Sequence, residues 1–413
     1  MKNSALPVQP AERLLLLDVL RGFAIFGILM VNMKIFSNPM TIMMLPLHEI
    51  SGGESLIPDY FVRFFFEGKF YTLFSLLFGY GFWIFMNKQV ESGSILPVFK
   101  RRLLILLLTG ALHLSLVWAG DILFFYALLG FLLILFRKSS NRKIAIWGVI
   151  MVFFPTILML IMWGFIALGS MAPEGKAAID ASFQESADTM RALVENAYQV
   201  YSTGSYSEVT SIRIKEWLTL LPGMFFFYPS VLGMFLFGTW AARKGLGKAD
   251  AASSRFFKKV LPWSLVLGIA GEGLYTWLSQ SINMSVPTGT SLLATFSHAL
   301  GAPAMTLFYV SSIALLLNKD IMRSFWNALV PVGRMALTNY LMQSIICTLI
   351  FYSYGLGYFG KFTTLDGIIL VVVIFTIQIF ASRLWFRKYS IGPAEWLWRS
   401  LTYMKKQQMV KKG

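Results

Sequence analysis

The sequence predicts an all-α fold: a polytopic transmembrane bundle of about ten helices with both termini in the cytoplasm. Three observations predict it. Apolar runs of bilayer length recur from one end of the chain to the other. The 413 residues are 56% hydrophobic and 14% charged, with a mean hydropathy of +0.65, more apolar surface than a soluble domain uses. Finally, 36 Lys and Arg stand against 20 Asp and Glu, a formal charge of +16, and the cations gather in short clusters between the apolar runs. That distribution is the positive-inside pattern of membrane topology, so the basic charge gives no reason to expect nucleic acid.

Taken in order, the expected spans are 14–36, 61–86, 103–119, 121–137, 144–169, 219–241, 260–280, 291–317, 326–352 and 364–386. Thirteen residues precede the first run, and no small-x-small cleavage site follows it, so it reads as a retained helix rather than a signal peptide. With the N-terminus cytoplasmic, the inward connections hold Lys100-Arg101-Arg102, Arg137-Lys138, Arg142-Lys143, Arg243-Lys244, Lys258-Lys259, Lys319 and Arg323. A basic tail, 389–413, adds Lys405, Lys406, Lys411 and Lys412. The outward connection 170–217 is acidic instead, with Glu174, Asp180, Glu185, Asp188, Glu195 and Glu208, and it reads as a polar loop or cap with helical stretches. An even number of spans satisfies every loop at once. No tandem repeat or low-complexity tract interrupts a single integral membrane domain, 1–413. Cys347 is the one cysteine and lies in an apolar run, which excludes an internal disulfide framework and most zinc sites.

Charged and polar residues inside such spans are costly, so they mark either interhelical contacts or function. Asp18 and Arg21 sit one helical turn apart in the first span and can neutralise each other. His113 lies about mid-depth in the third span, and Asp121 follows at its outer end, two turns on and too far for a direct bond along a regular helix. Gly120 offers a place for the helix to break. A neutral histidine in hydrocarbon keeps one nitrogen free as base or nucleophile. Arg334, Asn339 and Gln343 follow in the ninth span, the last two at i,i+4 on one face. Glu67 and Lys69 open the second span near its outer boundary, and Glu272 sits mid-depth between two glycines as a proton acceptor or a partner for Arg334. His298 is a further histidine of the apolar runs, whereas His48 falls in the first outward loop among acids. Glycine-rich helix faces also suit a homodimer. No metal-ligand pattern, P-loop or nucleotide fingerprint is present.

These residues carry a resemblance. The blocks Leu17-Asp-Val-Leu-Arg-Gly-Phe-Ala-Ile-Phe-Gly-Ile-Leu-Met-Val-Asn32, Glu67-Gly-Lys-Phe-Tyr-Thr-Leu-Phe-Ser-Leu-Leu-Phe-Gly79, the segment 101–130 with Gly-Asp-Ile-Leu, Gly333-Arg-Met-Ala-Leu-Thr-Asn-Tyr340 and Gly392-Pro-Ala-Glu-Trp-Leu-Trp-Arg399 are similar to the YeiB-like family of bacterial membrane proteins. That family resembles a broader group of transmembrane acyltransferases that includes the heparan glucosaminide N-acetyltransferase. The resemblance implies transfer of an acyl group, acetyl by analogy, from cytoplasmic coenzyme A to a sugar-like or envelope acceptor, a glycan or a small molecule, on the outer side. In the lysosomal relative an essential histidine lies between the first two spans; His48 occupies that region here in poorly matching surroundings, whereas His113 lies inside a matching block.

Residues and resemblance combine into one expectation. Acetyl-CoA or another acyl-CoA docks its phosphates near Arg21, Arg101, Arg102 and Arg334. His113 acts as general base or transient acyl carrier, and Asp121 orients the acceptor or tunes the imidazole. Asn32, Asn339 or Gln343 donates to the developing oxyanion. The rival expectation is a secondary transporter in which Asp18, Arg21, Glu272 and His298 form a proton or substrate pathway.

Overall fold

A computed structural model describes residues 14–45, 56–87, 95–280 and 286–411. The described residues form α-helices: α1 Leu15–Ser37, α2 Ile57–Phe65, α3 Lys69–Met86, α4 Leu96–Leu116, α5 Leu123–Leu133, α6 Asn141–Gly169, α7 Pro173–Thr203, α8 Tyr206–Arg243, α9 Ala251–Leu278, α10 Gly289–Asn318, α11 Arg323–Arg334, α12 Ala336–Phe351, α13 Thr364–Lys388 and α14 Pro393–Tyr403. Short 3₁₀ turns occupy Met40–Met44 and Ile134–Phe136. Six stretches are long and apolar enough to cross a membrane: α1, the α2–α3 stretch Ile57–Met86, α6, α8, α10 and α13. The remaining expected spans fall on α4, α5, α9 and α12, which are shorter or carry charge.

Helix starts follow from side-chain chemistry. Ser205 with Glu208, Thr288 with Ser291 and Thr363 with Asp366 form reciprocal caps at α8, α10 and α13, and Ser140 and Asp250 cap α6 and α9. The apolar window of α1 is 67% buried against 28% for α6 and α13, so α1 is the central helix and the other two face lipid. Glycines let backbones meet. A Cβ at Gly79 would strike the Phe235 carbonyl at 1.9 Å, one at Gly238 the Leu76 carbonyl at 1.9 Å, and one at Gly333 the Asp18 carbonyl at 1.9 Å. These contacts press α3 on α8 and α11 on α1.

The basic connections gather at one end. Arg243 reaches the Arg137 carbonyl at 2.9 Å, Tyr80 the Leu246 carbonyl at 2.7 Å, and Arg102 lies 3.7 Å from the Trp398 ring centre. This is the end that the positive-inside rule expects at the cytoplasm; α7 and the turn Met40–Met44 lie at the other.

Three elements differ from expectation. The second span breaks at 66–68, where Gly68 has φ +84°, a conformation that a side chain disfavours. The ninth breaks at Met335, past Pro331, separating α11 from α12. The outward connection is chiefly helix: α7 fills Pro173–Thr203, and α8 begins at Tyr206 rather than 219. At 38 residues, α8 runs for about 57 Å, well beyond a hydrocarbon core of about 30 Å, so it projects outward to meet α7.

Candidate functional site

Helix α4 ends at Leu116, where the Val117 and Trp118 amides both close on the His113 carbonyl, at 2.8 and 2.9 Å. The chain then turns back through Gly120, and Trp118 stacks on Phe36 of α1 at 4.0 Å. The chain thus leaves the regular helix beside Gly120, and that brings Asp121 within reach of His113. Its Oδ2 lies 2.7 Å from His113 Nδ1, while its Oδ1 accepts the Phe124 amide at 2.8 Å in the first turn of α5. Their side chains are 3% and 0% exposed. A carboxylate on Nδ1 fixes the proton there and leaves the Nε2 lone pair as the basic position. Nε2 is buried and has no hydrogen-bond partner among the described residues. Tyr340 of α12 stands beside it, with ring centres 5.4 Å apart, and its hydroxyl accepts the Ile122 amide at 3.3 Å. Sequence reading passed over Tyr340, although it is the last residue of the Gly333–Tyr340 block.

A second constellation occupies the outer half of the bundle. Lys69 donates to the Arg63 carbonyl at 2.8 Å and forms a fully buried ion pair with Glu272. His298 Nδ1 is 3.2 Å from the other Glu272 oxygen, and its ring packs on Tyr275 at 4.3 Å. Tyr275 donates to Glu67 at 2.8 Å, and Arg63 Nε is 3.3 Å from Glu67. Glu272 therefore pairs with Lys69 and His298 rather than with Arg334. Lys69 is also deeper than expected: the adjoining Phe70 ring lies 5.0 Å from Phe23 and blocks the space a Cβ on Gly27 would need, level with the middle of α1. The break before α3 carries the lysine inward.

At the cytoplasmic end the four expected arginines separate. Arg21 bonds Asp18 at 2.9 Å, and Arg102 lies over the Trp398 ring of α14. Arg101 donates to the Thr402 carbonyl at 3.1 Å, whereas Arg334 donates to the Ser390 carbonyl at 3.2 Å and lies 4.0 Å over Phe386. Arg101 and Arg334 brace α14 and the end of α13. Beside them, burial pushes the Glu395 carboxyl of α14 above its usual range, against donation from Thr338 and the Leu337 and Thr338 amides at the start of α12.

The polar face of α12 joins helices. Asn339 Nδ2 donates to the Val332 carbonyl and Ser382, at 3.3 and 3.2 Å, and Gln343 Nε2 to the Ile25 carbonyl and Gln378, at 3.4 and 2.8 Å. Both protons of each amide are engaged, so neither group is left to meet an oxyanion. Asn32 is half-buried on α1. His48 lies outside the described residues. Among the described residues no His, Cys, Asp or Glu group is arranged to hold a metal ion.

These features define a multi-pass helical membrane protein with histidine–carboxylate pairs inside the bundle. The chain belongs to the YeiB-like family of uncharacterised proteins. It is 35% identical over 99% of both chains to the uncharacterised protein YxaH of Bacillus subtilis, and 28% identical over 95% of this chain and 96% of the other to the uncharacterised protein YeiB of Escherichia coli. An uncharacterised 39.9 kDa protein of the amylase 3′ region of Bacillus acidopullulyticus is 28% identical, over 97% of this chain and 96% of the other. Residues 241–405 match the model of a protein of unknown function, DUF418. No solved structure matches the chain.

Proposed function

We propose that this protein is an acyltransferase that carries an acyl group, acetyl by resemblance, from coenzyme A at the cytoplasmic face to a hydroxyl or amine acceptor entering from outside. The observation that carries this reading is the buried His113–Asp121 pair, with Nδ1 held at 2.7 Å and Nε2 left without a hydrogen-bond partner among the described residues. In this reaction Nε2 takes the acceptor proton as the acceptor's oxygen or nitrogen attacks the thioester carbonyl. Asp121 stabilises the resulting imidazolium. The C–S bond then breaks, and the proton passes to the departing thiolate. The Tyr340 hydroxyl, whose proton the Ile122 amide leaves free, stabilises the oxyanion, the role that the sequence assigns to Asn32, Asn339 or Gln343.

The donor's route has support on α4 itself. Arg102 and His113 are eleven residues apart, which is about 16 Å of rise and about 20° of rotation, so both point from one face. Phosphates at Arg102 and Arg21 would leave an extended pantetheine arm to follow that face past Gly110. Membrane vesicles given labelled acetyl-CoA test the reading. Label should pass to an acceptor and fall at least about 100-fold in His113→Ala. A fully active His113→Ala variant overturns the assignment.

A transporter is the second reading, supported by the chain of ionisable groups from Glu67 through His298 to the buried Glu272–Lys69 pair. Solute flux in liposomes without acyl transfer would favour it.

A further inference from the structure

A cavity of about 120 Å³ lies in the outer half of the bundle, between α1, the turn Met40–Met44, α2, the end of α9 and the start of α13. Its walls include two ion pairs, Lys34–Asp59 and Arg63–Glu67. None of the acyl-transfer residues lines it.

The two pairs present themselves unequally. In the first the Lys34 side chain is 26% exposed and Asp59 6%; in the second Glu67 is 25% exposed and Arg63 16%. All four side chains line the space, and Lys34 and Glu67 are the more exposed member of each pair. Asp59 is held by Thr364 at 3.1 Å and Glu67 by Tyr275 at 2.8 Å, so both pairs are fixed before anything binds. Met30, Ile42 and Val62 supply an apolar wall beside them.

We propose that this cavity binds a small zwitterion, a free α-amino acid or a molecule carrying the same ammonium–carboxylate pair. Its carboxylate meets Lys34, its ammonium meets Glu67, and its side chain lies on the apolar wall. The sign pattern carries the choice. A simple anion would meet Lys34 but set a second negative charge beside Glu67, and a simple cation would set a second positive charge beside Lys34. A zwitterion gives both exposed charges an opposite partner in a place where water is scarce. The size agrees: at roughly 10–15 Å³ per water position, the space takes on the order of ten non-hydrogen atoms.

The site does not depend on the acyl-transfer reading, because binding is measured without acyl donor. The purified full-length protein in lipid nanodiscs is titrated with glycine, L-alanine, L-serine, L-leucine and L-glutamine at up to millimolar concentration. Propionate, propylammonium and glycerol serve as matched probes lacking one or both charges, and saturable rise of the melting temperature is the signal. At least one amino acid should bind and the three matched probes should not. Glu67→Gln and Lys34→Gln should each weaken binding by about tenfold or more, the scale of a lost charge-assisted hydrogen bond, while Lys34→Arg should retain it within a few fold. The proposal is overturned if no amino acid binds, if propionate or propylammonium binds as well as the zwitterions, or if folded Glu67→Gln binds undiminished. The wild-type specificity panel decides the matter even where a variant fails to fold.

Discussion

Among the described residues, two histidine–carboxylate pairs solve different problems. His113 and Asp121 are eight residues apart, joined by one 2.7 Å hydrogen bond, and sealed together at a helix break. His298 approaches Glu272 at 3.2 Å from a neighbouring helix, and that carboxylate already serves a buried lysine. In the first pair the carboxylate serves the imidazole and backbone amides at the start of α5, so it sets the imidazole's proton and orientation. In the second, the lysine sets the carboxylate's charge and the histidine is peripheral, 20% exposed and leaning on Tyr275. An imidazole and a carboxylate thus make a sealed pair in one place and part of a charge network in the other. What separates them is the third group at each carboxylate.

The comparison can be broken most directly by activity. His113→Ala and Asp121→Asn should each reduce acyl transfer by about 10²–10⁴-fold, whereas His298→Asn should leave it within a few fold. Equal losses at both pairs would show that they act as one site. Stability should respond the other way. Lys69→Met strands a buried Glu272 carboxylate and should cost about 3–5 kcal/mol in unfolding assays, most of it recovered in Lys69→Met/Glu272→Met. His113→Leu, which leaves Asp121 with its amide donor, should cost about 1–3 kcal/mol. An equal cost for the two would mean that the lysine is not the dominant partner.

Smaller effects sharpen the contrast. Gly68→Ala places a Cβ 2.3 Å from His298 Cε1 at a residue with φ +84°, so it should destabilise by about 1–3 kcal/mol and displace His298 without touching His113. Its readout is the melting temperature together with unchanged acyl transfer. Asn339→Ala removes interhelical bonds to Val332 and Ser382 and should cost about 0.6–1.7 kcal/mol, the range for such bonds in membranes.

Much of the bundle was legible because bilayer length and charge asymmetry are strong, local signals. The capped starts of α8 and α13 and the turn after His113 also leave local traces, in Ser205 with Glu208, Thr363 with Asp366, and Gly120. The breaks at 66–68 and Met335 fall inside segments that hydropathy averages into single spans, although Glu67-Gly68-Lys69 interrupts the first and Pro331 with Gly333-Arg334 the second. That is why Lys69 was placed at the outer boundary. Its pairing with Glu272 spans 203 residues and depends on how α3 and α9 pack, which no local pattern encodes. Asn339 and Gln343 teach the converse. Their i,i+4 spacing showed a polar face, but only the positions of Ile25, Val332, Gln378 and Ser382 show that the face is glue.

The contact of Glu395 with the start of α12 bears on biosynthesis. The backbone donors of Leu337 and Thr338 find their acceptor on a helix made some 57 and 58 residues later. While the ribosome is still extending α13, those amides have no such acceptor and the beginning of α12 is exposed to fraying. Docking of α14, steadied by Arg102 on Trp398, then acts as a latch that closes after insertion. Quality control would read an open latch as an unfinished protein, so substitutions at Glu395 should show first as lower abundance in the membrane and only afterwards as altered chemistry.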